Sequence, residues 1–161
     1  MTSKPPPPGP FPLFFDDLCV GMSFVTPAAT VTEEAIIRFS LEWDYQSFHA
    51  DKVAATKSIF GGLVASGLHS LCLAYRLYND MGLMRDSALA GVGMENVRWI
   101  APTRPGDTIR STVSILALSP RETKRGGGKV RLGFETVNQQ DERLLRFELL
   151  SIVAGRAYTK L

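Results

Sequence analysis

Residues 43 to 51, WDYQSFHAD, bring two carboxylates and three aromatic side chains together with one of only two histidines in the chain. Asp44 and His49 lie on either side of the apolar Phe48. A histidine exchanges protons near neutral pH because its unperturbed pKa is ~6.5. A carboxylate held against the same water accepts or returns a second proton, as paired groups with separated pKa values do. The pair therefore suits acid–base work on water. By itself a D-x-x-x-x-H loop is more often solvated surface than a site, so the rest of the chain has to decide.

The elements that must position this pair are legible from periodicity. TEEAIIRFSLEW reads as a short amphipathic helix ending near Trp43: Thr32 caps it, Glu33 and Glu34 occupy its first turn, and Ile36, Phe39 and Trp43 recur at helical spacing. Asp44 to His49 is then expected as the loop leaving that helix. Residues 67 to 80, GLHSLCLAYRLYND, are apolar nearly all round, which predicts a buried helix with Ser66 as its N-cap and Gly82 as its stop. A strand around residues 24 to 30 is weakened by Pro27. Beyond residue 88 the period becomes two, and strands are expected over 89–100, 108–118, 129–138 and 144–154. In the clearest, Val130, Leu132, Phe134 and Thr136 alternate with Arg131, Gly133 and Glu135. RPGD at 104–107, KRGGGK at 124–129 and NQQDE at 138–142 read as turns, and consecutive strands joined so closely are expected to pair antiparallel. One buried helix with such a sheet gives an α+β domain in which the sheet wraps the helix.

Other chemistry-bearing residues read as structural. His69, on the polar edge of the long helix, is expected to make a structural hydrogen bond. His49, Asp51 and His69 lack any recognised metal-ligand spacing. Gly126 to Gly128, with Lys124, Arg125 and Lys129, fit a hairpin tip better than a phosphate cradle. Cys19 and Cys72 form no C-x-x-C pair and are expected to be buried thiols.

The 161 residues fit one domain with a real core, and 45% hydrophobic against 21% charged residues is ordinary for a globular protein. A formal charge of +2 is too small to predict a nucleic-acid surface. No apolar run approaches a membrane span. MTSKPPPPGPFP has no apolar signal-peptide core and predicts an extended arm over residues 1–13, ahead of a domain over 14–161. A cytoplasmic protein without a membrane or nucleic-acid partner is expected.

The loop D-x-x-x-x-H, the S-G-L opening of the buried helix and the strand–turn VRWIAPTRPGD together resemble the MaoC-like hot-dog dehydratases, which include the (R)-specific enoyl-CoA hydratases. The likeness runs from about Phe15 to the last strand. In those hydratases the loop reads G-D-x-N-P-x-H, and a glycine eighteen residues past the histidine gives its amide to the substrate carbonyl; residue 67, eighteen past His49, is glycine. Gln46 stands where asparagine is usual, Ser47 where proline is, and Ser66 replaces the histidine of an H-G pair.

The resemblance implies reversible hydration of a trans-2-enoyl thioester, with Asp44, His49 and Gly67 catalytic and Gln46 and Ser66 at the substrate. Gly67, in the first turn of a helix, offers a free N–H at the positive end of the helix dipole. No cofactor or metal is implied beyond the coenzyme A or acyl-carrier thioester that is itself the substrate, and a homodimer or larger homo-oligomer is. Two alternatives stand beside this reading. A hot-dog thioesterase usually carries an acid in or beside its central helix, and no Asp or Glu lies between Gly61 and Asn79. A non-catalytic thioester-binding subunit predicts loss of Asp44 or His49, and both are present.

Overall fold

The computed structural model describes residues 12–120 and 126–158. After a 3-10 turn at Phe15–Asp17, the weak strand breaks at Pro27 into β1, Ser23–Val25, and β2, Ala29–Thr30. Helix α1 spans Glu33–Trp43, and Thr32 Oγ1 caps it by accepting from the Ala35 N–H at 3.1 Å. Its buried residues are Ile36 and Ser40, whereas Trp43 faces solvent. Two short helices follow, α2 (Ser47–Ala50) and α3 (Lys52–Thr56), the latter capped by Asp51 Oδ1 accepting from Val53 and Ala54. The expected loop is therefore a helical crank, with Asp44 as the C-cap of α1 and His49 inside α2. Helix α4, Gly67–Asp80, has the expected bounds, and Gly82 follows it with a φ of +66°.

Strands β3 (Ala88–Trp99), β4 (Thr108–Pro120), β5 (Gly128–Val137) and β6 (Arg143–Val153) form an antiparallel sheet in the order β1-β4-β5-β6-β3, with β2 also paired to β4. Phe134 pairs across to Val113 on one side and Phe147 on the other. The inward set of β5 is the one the alternation predicts: Val130, Leu132, Phe134 and Thr136 are all buried. In the 138–142 turn, Asn138 Oδ1 accepts from the N–H groups of Gln140 and Glu142. Of the 124–129 turn, Lys124 and Arg125 lie outside the described residues.

One expected pairing fails. β3 and β4 are not partners: β3 adds to the far side of β6, and residues 100–107 cross from one side of the sheet to the other. The crossing segment spends its hydrogen bonds elsewhere, Ile100 N–H on the Leu144 carbonyl and the Thr103 carbonyl on Ala65 N–H. This crossing forms one wall of the cleft described below.

The core lies between α4 and the concave side of the sheet. Tyr78 meets Phe134 edge-on at 5.4 Å, and Phe134 stacks on Phe147 at 4.2 Å. Ala74 is fully buried, and Leu77 joins Ile36, Ile109 and Leu144 in a second cluster beneath α1. Within one chain α4 is buried along this side only, through Ser70, Ala74, Leu77 and Tyr78, while Leu68 stays 46% exposed. Leu13, at the end of the expected arm, is buried and donates its N–H to the Leu83 carbonyl. Both cysteines are exposed, against expectation: Cys72 sits on the α4 face the sheet does not cover, and Cys19 lies in the turn before β1.

Candidate active site

The crank between α1 and α3 brings Asp44 and His49 to the N-terminus of α4. Ser40, buried in α1, shares its hydroxyl proton between the Ile37 carbonyl at 3.0 Å and the His49 carbonyl at 3.1 Å, which ties α2 to α1. The His49 ring is 5% exposed and lies edge-on to Phe48. Its Nδ1 is 2.7 Å from the Val64 carbonyl oxygen. A carbonyl only accepts, so Nδ1 carries the proton and Nε2 of the neutral ring presents its lone pair. That Nε2 lies 3.7 Å from Asp44 Oδ2, close enough for one water to bridge them.

Asp44 is held by neutral donors on both oxygens. Ser66 Oγ donates to Oδ2 at 2.6 Å, and Gln46 Nε2 donates to Oδ1 at 2.9 Å. The Ser66 bond, then the Gln46 bond, outweigh partial burial and hold the Asp44 carboxyl below its usual range, with a smaller contribution from His49. Asp44 is thus an anion at neutral pH.

Ser66 also caps α4, its Oγ accepting from the Leu68 N–H at 3.1 Å. Its hydroxyl, expected at the substrate, is engaged by Asp44 and by the helix start. Gly67 opens the helix, and among the described residues its N–H has no hydrogen-bond partner. A Cβ at this position would sit 2.5 Å from the Trp99 ring, so the indole rests directly on the glycine.

Asp44, Gln46, His49 and Gly67 open onto one cleft of about 500 Å³. Its apolar walls are Phe48, Phe60, Leu68, Trp99 and Pro102. Deeper in, Ser70 Oγ donates to Thr103 Oγ1 at 3.0 Å, joining α4 to the crossing segment. Sequence reasoning assigned no part to Trp99, Ser70 or Thr103. Their only signal was their place in the strand–turn and at the start of the helix. Among the described residues the His69 ring makes no hydrogen bond: it stacks on Phe39 at 4.8 Å, and its buried Nδ1 is unpartnered there. Burial, then the nearby Arg38, lower its pKa and keep it neutral.

Comparison with known proteins places this geometry. The family model described as "MaoC like domain" matches residues 18–137. The chain belongs to the MaoC-like family. The uncharacterized protein YdeM of Bacillus subtilis is 30% identical over 138 residues, covering 86% of this chain and 96% of that protein. A 3-hydroxyacyl-thioester dehydratase Z of Mycobacterium tuberculosis is 32% identical over 91 residues, which cover 55% of this chain and 60% of the dehydratase. Among solved structures, a MaoC-like dehydratase from Rhodospirillum rubrum superposes with a TM-score of 0.82 at 36% identity, over 89% of this chain and 98% of that one. The sheet and its long helix are accordingly a hot-dog fold. Among the described residues no helix is long and apolar enough to cross a membrane.

Proposed function

We propose that this MaoC-like domain catalyses the reversible hydration of a trans-2-enoyl thioester, on coenzyme A or an acyl carrier. The observation that carries the reading is the convergence of a proton-accepting Nε2 on His49, an ionised Asp44 3.7 Å away and the unpartnered N–H of Gly67 in one cleft. The similarity to a 3-hydroxyacyl-thioester dehydratase supports it.

In the hydration direction a water lies between His49 Nε2 and Asp44 Oδ2, donating one proton to each. Its oxygen attacks C3 while His49 takes a proton, and the double-bond electrons move toward the thioester oxygen. The resulting enolate is stabilised at Gly67, where the amide and the positive end of α4 meet the new charge. Asp44 stabilises the transient imidazolium, which returns its proton to C2. The sum is one water added, OH at C3 and H at C2. Ser66 and Gln46 orient Asp44 and keep it charged throughout. The acyl chain lies along Phe48, Phe60 and Leu68.

The working protein is a cytoplasmic homodimer or larger assembly. Strand β3 is an exposed edge twelve residues long, which supports pairing with a second copy. The deciding experiment offers a panel of trans-2-enoyl thioesters, on coenzyme A and on an acyl-carrier protein, and follows loss of the conjugated-thioester absorbance. Hydration removes that absorbance without releasing thiol. Thiol release instead identifies a thioesterase, and no change with any ester overturns the reading.

A further inference from the structure

The contact between Trp99 and Gly67 joins two donors rather than merely filling space. A Cβ built on Gly67 would lie 2.5 Å from both Cε2 and Nε1 of Trp99 and 2.9 Å from Cδ1, so the pyrrole side of the indole is what rests on the glycine. A backbone nitrogen lies about 2.5 Å from its own Cβ position, which puts the Gly67 nitrogen and Trp99 Nε1 within about 5 Å of each other. Two donors that each reach one oxygen at about 2.7–3.1 Å stand no more than about 6 Å apart. This pair meets that condition. Among the described residues neither N–H has an acceptor, which leaves both free to bond to a ligand oxygen. Trp99 is 54% exposed and lines the same cleft as Asp44 and His49.

We propose that the indole N–H of Trp99 is a second donor to the thioester oxygen, beside the amide of Gly67. This rests on the hydration reading above. As water adds at C3, the electron pair displaced from the double bond collects on that oxygen, and both N–H groups bond to it. When C2 is protonated the charge leaves, and neither donor gives up its proton. Glycine at 67 then has a reason independent of substrate access: any side chain there displaces the indole from its donor position.

The test is Trp99→Phe, which keeps an aromatic ring over Gly67 but has no donor, with 3-benzothienylalanine at position 99 as an isosteric second variant. Both should fold as the wild type by circular dichroism, because the side chain is half exposed. Turnover of the best enoyl-CoA in the panel should fall by ~100-fold in each. A binding measurement separates a donor from a wall. An S-alkyl-CoA thioether of matching chain length has no carbonyl, and its ketone counterpart carries one a methylene from sulfur. Loss of the donor should weaken the ketone by up to about tenfold and leave the thioether unchanged. Wild-type turnover in Trp99→Phe, or equal weakening of both analogues, overturns the donor while the hydration reading stands. A wild-type protein that hydrates no enoyl thioester overturns both.

Discussion

At the scale of single residues, Ser66 joins the two halves of the candidate chemistry through one oxygen. Its proton goes to Asp44 and its lone pair takes the Leu68 N–H at the start of α4. Asp44→Asn removes the anion that supports the imidazolium, and turnover should drop at least ~100-fold. A pH series gives the same residue an independent check. Hydrogen bonds from Ser66 and Gln46 lower its folded pKa below the ordinary 3.8. Its stabilising contribution is therefore present above pH 3.8 and lost as pH falls through the lowered value. The melting temperatures of wild type and Asp44→Asn should differ most near neutrality and converge below about pH 4. A gap that stays constant down to pH 3 contradicts the assignment. At Gly67, Ala and Pro both press a Cβ on Trp99, but only Pro removes the N–H. Gly67→Pro should be ~100-fold slower than Gly67→Ala, with circular dichroism confirming both are folded; equal rates place the carbonyl elsewhere. Asp44, His49 and Gly67 could be singled out from the sequence because their types and spacing resemble the MaoC-like hydratase pattern, and the structure brings them to one cleft. The Ser66–Asp44 bond spans 22 positions and the Trp99–Gly67 contact 32, and no local pattern encodes contacts between segments so far apart.

At the scale of elements, the four long strands and α4 were readable to within two residues: α4, β4, β5 and β6 each bury one face over most of their length, while β3 stays exposed along nearly its whole length within one chain. The helical crank was not. Helices α2 and α3 have four and five residues, too few to show a period, and they depend on Asp51 as a cap and Ser40 as a tether. The crossing between β3 and β4 was missed for a different reason: a short connection suggests a hairpin, but Thr103 is already paired to Ala65 and Ile100 to Leu144. The sheet meets α4 through Phe134, stacked on Phe147 and edge-on to Tyr78. Phe134→Ala should cost about 3–5 kcal/mol, read from urea unfolding midpoints at unchanged slope. A loss below about 1 kcal/mol would mean that the sheet and helix close over the gap.

At the scale of the whole molecule, the two ends of the sheet differ. One end is finished by β1 and β2, of three and two residues, while the other is β3, with twelve residues and almost no burial. Leu89, Val92 and Met94 project from β3 at 41%, 54% and 38% exposure. A long apolar edge of this kind templates pairing with another chain unless something covers it. A second copy set antiparallel along β3 continues the sheet and meets an identical surface, as a two-fold interface requires. Because β3 ends at Trp99 over Gly67, the same pairing would steady the mouth of the cleft. Leu89→Lys and Val92→Lys put two positive charges per copy into such a two-fold seam, where they repel those of the second copy. Both side chains are exposed within one chain, so the double variant should keep its circular dichroism spectrum. In sedimentation velocity the wild type should run as a dimer or larger species and the variant as a monomer, with turnover falling as the assembly dissociates. A wild-type monomer that is fully active at assay concentration excludes a functional role for this edge.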